Sequence, residues 1–140
     1  MLIQFLVAGA VSVCNIAIHA LVMMAVVRAA QAMGRKTMRH PSLSLIGIMI
    51  VTASVLMAAH ASEVVWALAY RLVDVAPHGT NLVYFAFVNY TTLGYGDVVP
   101  VQKWQLLGPA TAMNGVLLFG WSTAVIFEVL RRAMLQTSRE

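Results

Sequence analysis

From Leu2 to Val27 the chain carries only four polar side chains, Gln4, Ser12, Asn15 and His19. About 20 apolar residues suffice for a helix to cross the hydrocarbon of a bilayer, so this run spans it with some tilt. Two further long apolar runs follow, Ser42 to about Leu72 and about Lys103 to Met134. Hydrocarbon offers no water to an open backbone, so segments that cross it are helices or closed barrels. Three such runs predict an all-α membrane protein. The composition agrees: 10% of the residues are charged and the mean hydropathy is +0.83, against roughly 25% charged in soluble domains.

The first run lacks a basic leading segment and exceeds the 7–15 apolar residues of a signal peptide. It is read as a retained helix, an additional N-terminal transmembrane segment over residues 1–30. Residues 31–41 then form a basic loop and residues 42–134 one compact module, followed by a tail at 135–140. No separate soluble catalytic or ligand-binding domain is expected in 140 residues. The single cysteine, Cys14, has no partner for an intrachain disulfide and is expected to be a small buried hydrophobe.

The charges give an orientation. With the 31–41 loop and the C-terminus inside, Arg28, Arg35, Lys36, Arg39, Arg131, Arg132 and Arg139 are cytoplasmic, and only Arg71 and Lys103 are outside. This satisfies the positive-inside rule and predicts a multi-pass protein of the cell (inner, plasma) membrane with its N-terminus outside. The net charge of +4 is therefore an address to the lipid bilayer, with anionic headgroups as further partners. Nucleic acid is not an expected partner.

Inside the module the pattern is broken. Asp74, Pro77, His78 and Gly79 make a polar interruption, and the apolar stretch after it, 81–91, is too short to span. It reads as a re-entrant half-helix. Tyr90-Thr91-Thr92-Leu93-Gly94-Tyr95-Gly96-Asp97 follows. Irregular backbone at membrane depth is tolerated only when buried in protein or lining a water-filled cavity. Gly94 and Gly96 can take the left-handed dihedrals that turn successive carbonyls the same way. A half-helix ending near Thr91 aims its negative dipole end at the same place, favouring a cation. One chain supplies one such strand; a ring of oxygens around an axis needs several, most economically by rotational symmetry.

Thr92-Leu93-Gly94-Tyr95-Gly96-Asp97 resembles the selectivity filter of potassium channels. The resemblance covers about Leu43 to Arg132: outer helix 42–72, pore helix 81–91, filter 92–97 and inner helix 103–134. The nearest group is the small bacterial potassium channels with one extra N-terminal helix. It implies three transmembrane helices plus a re-entrant pore helix per subunit and a homotetramer. K⁺ would pass passively, with no cofactor beyond the permeant ion. The carbonyls of Thr92, Leu93, Gly94 and Tyr95 and the Thr92 hydroxyl would replace the hydration shell of K⁺, while Tyr95 packs outward against the pore helix. Leucine stands where the commonest filter has valine. Val88 stands where some bacterial channels place a glutamate that pairs with the filter aspartate. Tyr84, one turn earlier, is expected to hydrogen-bond Asp97 instead, with Gly96 and Glu63 as further filter support.

Glu63 reads either as a buttress to backbone N–H groups at the filter's outer end or as a headgroup-level carboxylate near Arg71. His60, three residues before it, is either a pH-sensing partner or a histidine hydrogen-bonded within the protein. Val116, Phe119, Thr123 and Phe127 recur at helical spacing and resemble the pore-lining stripe, although such a period also marks a packing face. Gly115 and Gly120 are hinge candidates. Glu128 can pair with Arg131 and Arg132 at i+3 and i+4. Asn15 and His19 are expected to hydrogen-bond between helices, with the first helix packed peripherally on the outer helix. That helix lacks the arginine series of a voltage sensor.

Neither a nucleophile–base set nor a metal-ligand spacing nor a phosphate-cradling loop is evident, so an enzyme is not expected. A potassium-selective channel is the leading reading. A weakly selective monovalent cation channel and a non-conducting regulatory or scaffold subunit remain open. Gating would then rest on pH, lipid, tension or a separate regulatory protein.

Overall fold

The computed structural model describes residues 1–34 and 41–137. Among these the chain is all-helical, with three segments long and apolar enough to cross a membrane: Leu2–Ala29, Ile46–Leu72 and Gln102–Arg132. It is a multi-pass membrane protein. Arg35, Lys36, Arg39 and Arg139, on which much of the orientation argument rests, lie outside the described residues.

Five α-helices follow one another: α1 (Leu2–Gly34), α2 (Pro41–Ala59), α3 (Val64–Leu72), α4 (Leu82–Tyr90) and α5 (Leu107–Thr137). The helix α1 continues past residue 30, through Gly34, because Ala29, Ala30, Gln31, Ala32 and Met33 are good helix formers. Residues 31–34, expected in the basic loop, are therefore helical. Pro41 opens α2, where a missing N–H leaves no hydrogen bond broken.

The outer helix expected over 42–72 is not one helix. A 3₁₀ turn, His60–Glu63, separates α2 from α3. No glycine or proline marks it. Two polar side chains bracket the turn and both are buried, and tightening to three residues per turn resets where each one points. The inner helix likewise starts later than expected. A 3₁₀ turn at Gln102–Trp104 precedes α5, which then runs through residues 135–137 of the expected tail.

The fold consists of two units, Met1–Ile18 with Ala61–Phe119, and His19–His60 with Gly120–Glu140. The first has an aromatic core of Trp66, Tyr70, Phe85, Tyr90 and Trp104 around Val75, Leu107 and Leu118. Tyr70 and Phe85 meet at 5.2 Å in a tilted arrangement, the geometry that ring quadrupoles favour. Here α3 ends in a left-handed turn at Asp74 (φ 51°), with the Val75 N–H donating to the Tyr70 carbonyl. The Val101 N–H then donates to the Val75 carbonyl at 2.8 Å, fixing the chain beyond residue 97 to the exit of α3.

Within this unit α1 hydrogen-bonds the inner helix rather than packing only on the outer one. Gln4 accepts the otherwise orphan N–H of Leu106 at the start of α5 (3.1 Å), and Asn15 donates to Asn114 (2.7 Å). An apolar helix in lipid gains little from hydrophobic contact, so side-chain hydrogen bonds decide which neighbour it takes. Cys14 is exposed on α1, not buried, as suits an apolar side chain facing lipid. The second unit is aliphatic, built from Met23, Val26, Ile48, Leu56, Ala59, Val125 and Val129.

Candidate functional site

The site is built on α4. Asn81 caps it, its side-chain oxygen accepting the Tyr84 N–H at 3.1 Å. At about 1.5 Å per residue its nine residues cover less than half of a roughly 30 Å hydrocarbon layer, so the chain dips in and must return. The Thr91 hydroxyl donates to the Phe87 carbonyl at 2.8 Å.

The amides that follow all turn back to the helix end. Thr92 N–H donates to the Asn89 carbonyl (2.9 Å), and the N–H groups of Leu93 and Gly94 both donate to the Val88 carbonyl (3.0 and 3.3 Å). Alternate residues of the strand have left-handed backbone: Thr92 at φ 59°, Gly94 at 55° and Gly96 at 76°. Uniform dihedrals would flip each peptide plane relative to the last. Alternating the sign of φ brings successive carbonyls to one side. Among the described residues, the carbonyl oxygens of Thr92, Leu93, Gly94 and Tyr95 accept no hydrogen bond. The strand therefore has a donor side fixed to α4 and an acceptor side left open.

Glycine makes this free at residues 94 and 96. Thr92 is β-branched, and its left-handed backbone costs about 1–3 kcal/mol. The sequence pointed to the two glycines and not to Thr92. What imposes the third position is the pair of following amides converging on one carbonyl.

At the outer end Tyr84 donates to Asp97 at 2.6 Å, and the other Asp97 oxygen accepts the Val98 N–H at 3.1 Å. That bond to Asp97, with the carboxylate charge, holds the Tyr84 phenol above its ordinary range. Val88 is buried on the same helix. Tyr95 is 67% exposed and Leu93 54%, so the packing expected of Tyr95 against the pore helix is not made within one chain. A crevice of about 350 Å³ opens beside the strand, lined by Val88, Asn89, Gly94, Pro100 and Gly108 among others.

Glu63 departs from the buttress expectation. It is fully buried, and neither carboxylate oxygen has a hydrogen-bond partner among the described residues. Sitting on the 3₁₀ turn, it reaches no filter amide.

Two contacts that the sequence reading missed hold α4 in place, the bond of Asn89 to Tyr70 and the close approach of Gly115, and the partner of Asn15, Asn114, ties α1 and α3 to α5. Thr111 donates to the Leu107 carbonyl (2.8 Å), which leaves the Tyr70 hydroxyl to donate to Thr111 (2.6 Å) and to accept from Asn89 (3.4 Å). This chain of hydrogen bonds joins α4, α3 and α5. Asn114 accepts from both Asn15 and the Trp66 indole (3.1 Å). Gly115 lies so close to α4 that a Cβ there would meet the Tyr90 carbonyl oxygen at 1.9 Å. The available signal was a pair of spacings: Thr111 and Asn114 at i, i+3 on an apolar helix, and Trp66 and Tyr70 at i, i+4 on another.

The helix α5 is uninterrupted at both hinge candidates, and Gly115 serves close approach instead of bending. Its buried face carries Thr111, Asn114, Leu118, Ser122, Val125 and Val129, and Val116, Phe119, Thr123 and Phe127 are all exposed. Phe119 also meets the Tyr90 ring at 5.5 Å. Glu128 binds Arg131 through two hydrogen bonds (2.8 and 3.0 Å) and Arg132 through one. Such half-exposed pairs contribute little to stability.

Residues 58–132, more than half of the chain, match the model of a family described as ion channel. Searches of curated proteins and of solved structures each returned no match.

Proposed function

Because this chain belongs to the ion channel family, we propose that it is a potassium-selective channel in which four copies place their 92–97 strands around one axis. The observation that carries the reading is the two-sided strand. Its amides at 92–94 are bound to α4, its alternate residues are left-handed, and its carbonyls at 92–95 are without partners among the described residues. Four such strands supply stacked rings of oxygen that replace the water around a monovalent cation. Asp97 and Tyr84 hold the outer end and Gly96 completes the alternation, with Glu63 buried on the 3₁₀ turn of the outer segment.

The fourfold assembly is supported by what one chain leaves open, the Tyr95 and Leu93 side chains and the crevice beside the strand. The exposed stripe Val116, Phe119, Thr123 and Phe127 then lines the path below the filter, with Phe127 as its narrowest ring. The filter opens outward and the basic segments lie in the cytoplasm of a cell whose plasma membrane holds the protein. Permeation is downhill.

The test is K⁺ flux into liposomes holding the purified protein, with Gly94→Asp as the silent control, followed by bi-ionic reversal potentials. K⁺ flux abolished by Gly94→Asp and a reversal potential far toward K⁺ are expected. A reversal near zero against Na⁺ would leave a weakly selective pore, and no flux would leave a non-conducting subunit.

A further inference from the structure

In the second unit a cleft of about 170 Å³ runs between α1 and α2, lined by Ala25, Val26 and Ala29 on one side and Ile48, Thr52 and Val55 on the other. Spacings of four residues on α1, and of four and then three on α2, make each lining set one stripe along its helix axis. The two helices are held beside the cleft by Met23, Val26, Ile48 and Leu56. The alanine methyls at 25 and 29 leave room where larger side chains would close the gap. Since α1 ends at Gly34 and α2 begins at Pro41, the short connection makes them antiparallel neighbours. Ala29 is then level with Ile48 toward the connection, and Ala25 with Thr52 one turn deeper in the bilayer. The cleft therefore follows the direction that a lipid chain takes beside spanning helices.

Two polar side chains say what fills it. Thr52 is 2% exposed, lines the cleft and makes no hydrogen bond among the described residues. A hydroxyl sheltered in this way gains from an acceptor that enters with the occupant. Arg28, three residues from Ala25 and next to Ala29, is exposed. It stands about one helical turn, ~5 Å, nearer the connection than Thr52. No acidic residue occurs from Met1 to Ser62. In the same unit Glu128 already gives its carboxylate to Arg131 and Arg132. The neighbouring chain thus offers Arg28 no carboxylate, and an arginine at the edge of hydrocarbon draws its anion from the lipid headgroups.

We propose that this cleft is a binding site for one anionic phospholipid. An acyl chain lies between the stripes of α1 and α2, the Thr52 hydroxyl donates to an ester carbonyl, and Arg28 holds the phosphate. A phospholipid carries its ester carbonyls a few bonds below its phosphate, the order in which Thr52 and Arg28 stand. The headgroup must be anionic because a choline would bring a second cation beside Arg28 and the basic residues Arg35, Lys36 and Arg39 that follow it in sequence. A second copy of the chain is the rival occupant, but meeting the cleft through this same segment it would set like charge against like. The site stands whether or not the protein conducts, since it requires only that α1 and α2 lie in a bilayer.

Native mass spectrometry of the purified protein, offered phosphatidylglycerol and phosphatidylcholine with identical chains, tests the site. Wild type is expected to keep one phosphatidylglycerol per chain and to retain it at least about tenfold better than phosphatidylcholine. Arg28→Gln should bring phosphatidylglycerol down to the level of the other lipid. Ala29→Phe fills the cleft but leaves the charge, and should lower phosphatidylglycerol retention at least about tenfold. Thr52→Val should lower it about threefold. Circular dichroism of each variant, matching wild type, establishes that lost binding is not lost folding. Equal retention of the two lipids by wild type overturns the proposal. So does an Ala29→Phe protein that still keeps phosphatidylglycerol, because the charge would then act without the cleft. Assembly lost in a folded Ala29→Phe protein, with no lipid held by wild type, would assign the cleft to a second copy and also overturn it.

Discussion

The two units of this chain solve the same problem, packing helices without water, by different means. The unit that carries the 92–97 strand uses large rings and polar crosslinks: Trp66, Tyr70, Phe85 and Tyr90 in the core, with Asn114 and Thr111 each bonded to two partners. The other unit uses Met, Val, Ile, Leu and Ala, with one polar cluster at Ser122. Hydrophobic packing is non-directional and lets helices slide, while hydrogen bonds in hydrocarbon fix one register. The comparison teaches that directional polar crosslinks are concentrated in the unit that carries the 92–97 strand, while the other unit packs mainly through non-directional aliphatic contacts.

The sharpest way to break that contrast is a pair of alanines on one helix. Gly115→Ala drives a Cβ into the Tyr90 carbonyl and is expected to cost more than the ~1–3 kcal/mol of ordinary overpacking, abolishing assembly on size-exclusion chromatography. Gly120→Ala, with open space around it, should leave assembly and melting temperature unchanged. If both substitutions behave alike, the two units do not differ in tolerance.

Next in size is Asn114→Leu, which strips Asn15 and Trp66 of their acceptor. A double-mutant cycle with Asn15→Ala should give a coupling of about 1 kcal/mol, within the range seen for hydrogen bonds between membrane helices. Zero coupling would mean that the crosslink is ornamental. Tyr84→Phe removes the bond to Asp97 without disturbing the exposed outer surface. It should lower the K⁺ over Na⁺ permeability ratio by about fivefold, the scale of one lost hydrogen bond, with the protein as stable as before. The smallest effect on folding belongs to Phe127→Ala. At 66% exposure it should shift stability by less than about 0.5 kcal/mol, while changing single-channel conductance.

Much of the filter unit was readable from the sequence because its signals are local. A half-length helix and glycines at alternate positions each act over a few residues. The Tyr84 partner of Asp97 followed from the resemblance, which implied a side chain bonded to the aspartate, and from counting one helical turn back from Val88. What escaped was long-range or unsignalled. His60-Ala61-Ser62-Glu63 contains no helix breaker, so the division of the outer helix was invisible. Asn15 and His19 announced that they needed partners, but Asn114 and Ser122 are about a hundred residues away. Thr92 has no intrinsic preference for the left-handed region, and its conformation is dictated by where its neighbours' amides go.

The same arrangement of amides has an electrical consequence. A chloride ion would need N–H groups to coordinate it. Those of residues 91–94 are already held by carbonyls of α4. A small ion resting against the open carbonyls of residues 92–94 meets oxygens whose own amides are turned to the other side, an arrangement that favours a cation over an anion without a charged side chain.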